Sequence, residues 1–159
     1  MDIIQEIAKV SYTLEDYDEA AFYYEKFMEL KEMFGLDIYN SIDVNIAFVL
    51  DQIGKKEEAE SLFDTFLQFA ENDETIYKDL HFAAYHAARG NIDEGMDYLK
   101  AFTGQEDFQY WIVLFLDKDP VILRLSSHPD FKETLRQIEE QFWKKHGGIR
   151  NMLEEENVI

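Results

Sequence analysis

The sequence contains no cysteine, which excludes disulfides and Cys-ligated metals and agrees with a reducing compartment. It is also poor in cations, with 15 Lys and Arg against 34 Asp and Glu and a formal net charge of −19. Affinity for nucleic acid rests largely on basic side chains that neutralise phosphates, so no nucleic-acid surface is expected, and anionic membranes are disfavoured for the same reason. Long apolar runs are missing as well. The longest, Trp111 to Leu116, falls far short of the roughly 20 residues that span a bilayer. The N-terminus carries Asp2 and Glu6 and lacks the basic flank and apolar core of a secretory signal. A soluble, cytoplasmic protein is the expectation. There is no Gly-rich phosphate cradle, no GxSxG elbow and no Cys nucleophile, so an enzyme is not expected.

What is present is repetition. Residues 17–27 read YDEAAFYYEKF, 56–66 KEEAESLFDTF and 92–102 IDEGMDYLKAF. The copies align at Glu19/Glu58/Glu94, Ala20/Ala59/Gly95, Tyr24/Phe63/Leu99 and Phe27/Phe66/Phe102. The small residue lies four before the bulky one and seven before the Phe, which puts all three on one helix face where a neighbouring helix approaches closely over Ala or Gly. With 47% apolar content, the chain is long enough for one domain or a short array with a continuous core.

The pattern predicts three helix pairs, at about 2–34, 38–71 and 74–103. In the first helix, Ile3, Ile7, Val10 and Leu14 form an apolar stripe. Because that stripe begins almost at the first residue, a longer protein upstream is expected. Glu15-Asp16 turns the chain into its second helix, and Gly35 caps that helix. Gly54 and Gly90 are the turn residues of the second and third pairs, where the backbone needs positive φ. Ile42, Ile46, Val49 and Ile53 are expected to be the buried stripe of the second pair's first helix. Past Gly104 the repeat is lost. A helix over 106–117, a short helix after Pro120, and an amphipathic helix on Phe131, Leu135, Ile138 and Phe142 are expected, each proline suiting a first helical turn. The last helix is expected to stop at Gly147-Gly148 and to cover the apolar end of the array. Residues 104–148 are thus capping helices, and 149–159 an acidic tail.

The aligned copies resemble the tetratricopeptide repeat, a unit of about 34 residues that pairs two helices around small residues. Ala8, Ala47 and Ala83 take the family's small position in the first helix, and Ala20, Ala59 and Gly95 that of the second. The match covers residues 1–103. It departs from the family in lacking the early Trp and the closing Pro, and in placing Phe at 27, 66 and 102. The run from Asp119-Pro120 to Pro129-Asp130-Phe131 resembles the segment that closes such arrays at the C-terminal end of some bacterial kinases, nucleotide cyclases and transcription regulators. The resemblance implies an all-α, right-handed α-α superhelix, a solenoid of three helix pairs with C-terminal capping helices. It also implies a non-enzymatic scaffold that binds a peptide or protein segment, in the setting of a bacterial signalling protein's regulatory module. The alternative is a ligand-sensing domain for a short peptide or small effector.

In the family the first helices line a concave groove, which here carries Gln5, Lys9, Tyr12, Asn45, Phe48, Gln52, Tyr77, His81 and Ala84. Aromatics offer contact area at small entropic cost, and amides pair with an extended backbone. For each aromatic the competing reading is a place in the core. One family subtype grips a C-terminal carboxylate with two Lys, two Asn and an Arg. The corresponding places hold Gln5, Lys9, Asn45, Tyr77 and His81, of which only Asn45 has the expected type, so chaperone-tail binding is not expected.

No cofactor or metal is expected. His81 and His86 are five apart and face different ways on one helix, unlike an i, i+4 ligand pair. Asp16, Asp18 and Glu19 lack the Gly and closing Glu of a calcium loop and suit a helix N-terminus. Residues 1–117 carry 8 basic and 26 acidic side chains, whereas 118–150 carry 7 and 5. The default reading of that asymmetry is solvated faces, and the alternatives are docking of the terminal helix on its own array or head-to-tail association between chains, a homodimer among them.

Overall fold

Each hairpin forms because a helix with one apolar face meets a turn that reverses the chain. The computed structural model describes residues 2–156, without the side chains at 149, 150 and 153. The helices are α1 (Asp2–Thr13), α2 (Tyr17–Met33), α3 (Asp43–Gln52), α4 (Lys56–Asn72), α5 (Lys78–Ala88), α6 (Ile92–Phe102), α7 (Tyr110–Phe115), α8 (Pro120–Leu123) and α9 (Phe131–Glu155). Short 3-10 turns occupy Asn40–Ile42, Leu116–Lys118 and Arg124–Ser127. Among the described residues the protein is all-helical, with no strand.

α1 pairs with α2, α3 with α4 and α5 with α6, and each hairpin packs on the next. The three hairpin turns close alike. Asp16 N donates to Ser11 O, Lys55 N to Leu50 O and Asn91 N to His86 O, each at 2.9 Å, which is the wide bond of a Schellman motif. The motif needs one residue in the left-handed region. Gly54 (φ +85°) and Gly90 (φ +79°) supply it in the second and third turns, and Glu15 (φ +59°) in the first.

The repeated positions form the core. Ala8, Ala47 and Ala83 of the first helices and Ala20, Ala59 and Gly95 of the second are all buried. Tyr24, Phe63, Leu99, Phe27, Phe66 and Phe102 are buried too. From Phe102 the core continues through Phe108 to Phe142 of α9, with ring centroids 5.2 and 5.8 Å apart. α9 therefore packs on α6 and α7, with Phe131, Ile138 and Phe142 buried.

The apolar stripe of α1 faces solvent, while Gln5, Ala8, Ser11 and Tyr12 are the buried side. Several expectations are corrected. In α3, Ile46 and Val49 are fully buried, whereas Ile42 and Ile53 are half-buried. α5 starts at Lys78 rather than near 74, because Asp73 accepts from Thr75 N and Oγ1 and ties the chain into an Asx-type turn. The helix expected over 106–117 is confined to α7 and the 3-10 turn after it. Pro129 lies in the turn ahead of α9 rather than in its first turn. Nor does α9 stop at Gly147-Gly148. Neither glycine has positive φ, and the good helix formers on both sides carry the helix through them to Glu155. The expected acidic tail is helical to that point, and its residues 157–159 lie outside the described residues.

Candidate functional site

α1, α3 and α5 are the first helices of the three hairpins, and a segment from further along the chain crosses the side chains they present. Gln109 N donates to Tyr77 Oη at 3.1 Å, and the Trp111 ring stacks on Tyr77 with centroids 6.0 Å apart. The segment then reaches α1, where the Lys9 ammonium sits 5.5 Å from the Phe115 ring centroid. It turns there and runs back over α5 as α8 and the Arg124–Ser127 turn, meeting α3 through Asn45 and Phe48.

The turning point is Asp119, the N-cap of α8. Its Oδ1 accepts from Tyr12 Oη at 2.6 Å, Val121 N at 2.9 Å and Ile122 N at 3.2 Å. Its Oδ2 accepts from Asn45 Nδ2 at 3.1 Å. Two of these donors are the orphan amides that any helix start leaves unpaired, and Pro120 at the first helical position has no amide to satisfy. The other two come from α1 and α3. Tyr12 Oη also accepts from Val121 N at 3.1 Å, so one buried phenol joins the Asp119 carboxylate to the α8 backbone. Burial, and then the adjacent Asp119 carboxylate, push the Tyr12 phenol well above its ordinary pKa, which keeps it a donor. Burial raises Tyr24 as well, with Asp119 and Glu6 adding to it.

Beyond the cap the segment is anchored by packing. Val121, Ile122 and Leu125 are buried. Arg124 donates from Nε to Ala87 O at 3.0 Å and lies 5.6 Å from the centroid of the buried Phe48 ring. That ring is met edge-on by Tyr17 at 5.7 Å.

The structure thus gathers Lys9, Tyr12, Asn45, Phe48 and Tyr77 around residues 109–125 of the same chain. Gln5 is buried and Ala84 half-buried. Gln52 is exposed and its amide reaches Asp51 at 3.4 Å, beside a surface depression lined by Glu15, Asp16 and Asp18. His81 takes part in a different cluster. Its Nδ1 is 2.8 Å from Asp73 Oδ2, and its ring packs against Phe66 and Phe69. Burial lowers the imidazole pKa, and the Asp73 carboxylate offsets only part of that. Among the described residues no group of three or more His, Asp or Glu is arranged to hold a metal ion, and no helix is long and apolar enough to cross a membrane.

Sequence reasoning missed Asp119, Arg124 and Leu125 as partners of this face. The Asp-Pro pair does announce a capped helix start. Nothing local announces that its carboxylate meets a tyrosine 107 positions earlier.

Comparison with families of known proteins, with curated proteins and with solved structures finds no match for this chain.

Proposed function

We propose that the protein is a non-enzymatic interaction module of the tetratricopeptide class, with its three hairpins wound as a right-handed superhelix. In this reading the face formed by α1, α3 and α5 recognises a short segment that begins Asp-Pro, continues with aliphatic residues and carries Arg five positions after the Asp. The observation that carries the reading is the four-donor grip on Asp119, two donors of which belong to the face itself. Tyr12 and Asn45 read the carboxylate, and Phe48 provides the platform for the guanidinium. The chain's own residues 116–125 fill the site, so a partner segment engages by replacing them. The net charge of −19 draws in partners whose remaining residues are basic. A cytoplasmic setting, as the regulatory end of a bacterial signalling protein, belongs to the same proposal and rests on the family resemblance.

A labelled peptide with the sequence of residues 116–127 tests it by fluorescence anisotropy. The full-length Asp119→Ala chain, its internal anchor weakened, is expected to bind the peptide about tenfold more tightly than the wild type. Adding Tyr12→Phe and Asn45→Ala to that chain is expected to abolish the gain. Circular dichroism confirms that each variant is folded. Equal binding by all three chains, or binding by none, contradicts the proposal.

A further inference from the structure

α1 is packed inside out. It buries Gln5 and Ser11 along with Ala8 and Tyr12, yet leaves Ile3, Ile7, Val10 and Leu14 at 77%, 37%, 56% and 74% exposure. The exposed four are spaced by four, three and four, which is the repeat of a seam made to meet another helix. Along this seam runs a shallow depression lined by Ile3, Ile7 and Val10, with Glu6 and Glu19 at its margin. Glu19 is taken by Ser11 Oγ at 2.8 Å. Asp2 and Glu6 have no ion-pair partner among the described residues.

A second exposed patch lies on α7 and α9. Trp143 of α9 and Tyr110 of α7 are 43% and 46% exposed and meet edge to face at 5.7 Å. Lys132 and Lys144 of α9 are exposed and without an ion-pair partner among the described residues. Residues 118–150 are net basic while 1–117 are strongly acidic. One patch is therefore aliphatic with Asp2 and Glu6 beside it, and the other is aromatic with Lys132 and Lys144 on its helix, where the exposed Glu139 is the one carboxylate without an ion-pair partner among the described residues 131–148.

We infer that the exposed face of α1 docks the Tyr110–Trp143 patch of a second copy of this chain, head to tail. The symmetric alternative, α1 against α1, is disfavoured by charge. An antiparallel pairing that sets Ile7 over Val10 places Asp2 of one copy across from Glu15 of the other, and a parallel one sets Asp2 on Asp2. At physiological salt, screening acts over about 8 Å, so the diffuse repulsion between two acidic molecules fades while contacts at the interface persist. A contact between two different patches does not close on itself unless its rotation returns to the start, so such copies add one after another.

Sedimentation velocity at physiological salt tests this with three full-length chains. The wild type is expected to show a weight-average mass that rises with concentration. Ile7→Asp with Val10→Asp breaks the head, and Trp143→Ala with Lys144→Glu breaks the tail. All four side chains are solvent-exposed, so neither pair of substitutions disturbs the core. Each variant alone is expected to remain monomeric, its association weakened about 100-fold or more. Mixed in equal amounts, they retain one intact head and one intact tail and are expected to form a dimer that grows no further. A wild type that stays monomeric into the millimolar range overturns the inference, whether or not another protein covers α1. A tail-broken variant that still dimerises alone overturns it in favour of a symmetric α1 contact. A mixture that stays monomeric overturns it as well.

Discussion

Leu125 occupies the space that a side chain on Gly95 would need. A Cβ built on Gly95 would lie 2.8 Å from Leu125 Cδ2, and 3.3 Å from both Ala83 O and Ala87 N. Leu125 is fully buried and belongs to the segment that crosses the first-helix face. This contact explains why the third hairpin has glycine where the first two have Ala20 and Ala59.

Gly95→Ala is therefore expected to destabilise the protein by about 1 kcal/mol, because overpacking costs roughly 1–3 kcal/mol while the gain in helix propensity returns about 1. Gly148→Ala, at a helical site with nothing within 4 Å, is expected to stabilise by about 0.5–1 kcal/mol. Urea denaturation of both variants checks the contrast. In a Leu125→Ala background the penalty of Gly95→Ala should shrink to what the Ala83 and Ala87 backbone contacts impose, and an undiminished penalty would place the conflict elsewhere.

Glu15 holds the left-handed position of the first turn, the place taken by Gly54 and Gly90 in the other two. A non-glycine residue in that region costs on the order of 1 kcal/mol. Glu15→Gly is expected to raise stability by up to about 1 kcal/mol, read as a higher thermal midpoint. Gly54→Ala, which moves the same strain into the second turn, is expected to lower it.

Below neutral pH the His81–Asp73 pair weakens the fold. Burial lowers the His81 pKa from its ordinary 6.5. Burial acts to raise Asp73, but the Thr75 hydrogen bonds and the neighbouring His81 outweigh it and leave Asp73 below its ordinary 3.8. Both groups bind protons less readily in the folded state, so their stabilisation is present above these ordinary values and is lost on acidification. His81 acts first, as pH falls below about 6.5, and Asp73 only below about 4. The urea midpoint is expected to fall between pH 7.5 and 5.5, and His81→Gln should flatten that slope. An unchanged slope would contradict the role given to burial of the imidazole.

Tyr12 produces the opposite dependence at high pH. A phenol whose pKa is raised in the folded state stabilises fully below about 10 and loses that contribution as pH rises further. Tyr12→Phe is expected to cost about 1–3 kcal/mol at pH 7, since Asp119 and Val121 lose a partner in a buried setting. The same variant should show a shallower loss of stability above pH 10 than the wild type.

The sequence was most legible where a residue's role is set by its neighbours in the chain. Ala20, Ala59 and Gly95 mark helix crossings because only small residues permit the approach, and Gly54 and Gly90 mark turns because positive φ favours glycine. The orientation of α1 was not legible. Period alone reports that Ile3, Ile7, Val10 and Leu14 share a face, and not that the chain's own core takes the other one. Gly147 and Gly148 misled for a related reason, since glycine permits a helix end without requiring it. The face of α1, α3 and α5 could be placed by analogy among the repeats, but its filling by residues 109–125 rests on side-chain meetings across most of the chain. Of the nine residues assigned to that face, His81 and Gln52 turn to other neighbours.

A double-mutant cycle on Tyr12→Phe and Asp119→Ala tests most directly whether this face grips a segment through its carboxylate. A charged, partly buried hydrogen bond at 2.6 Å predicts a coupling free energy of about 1.5–3 kcal/mol between the two substitutions. Effects that add to within about 0.5 kcal/mol would contradict it.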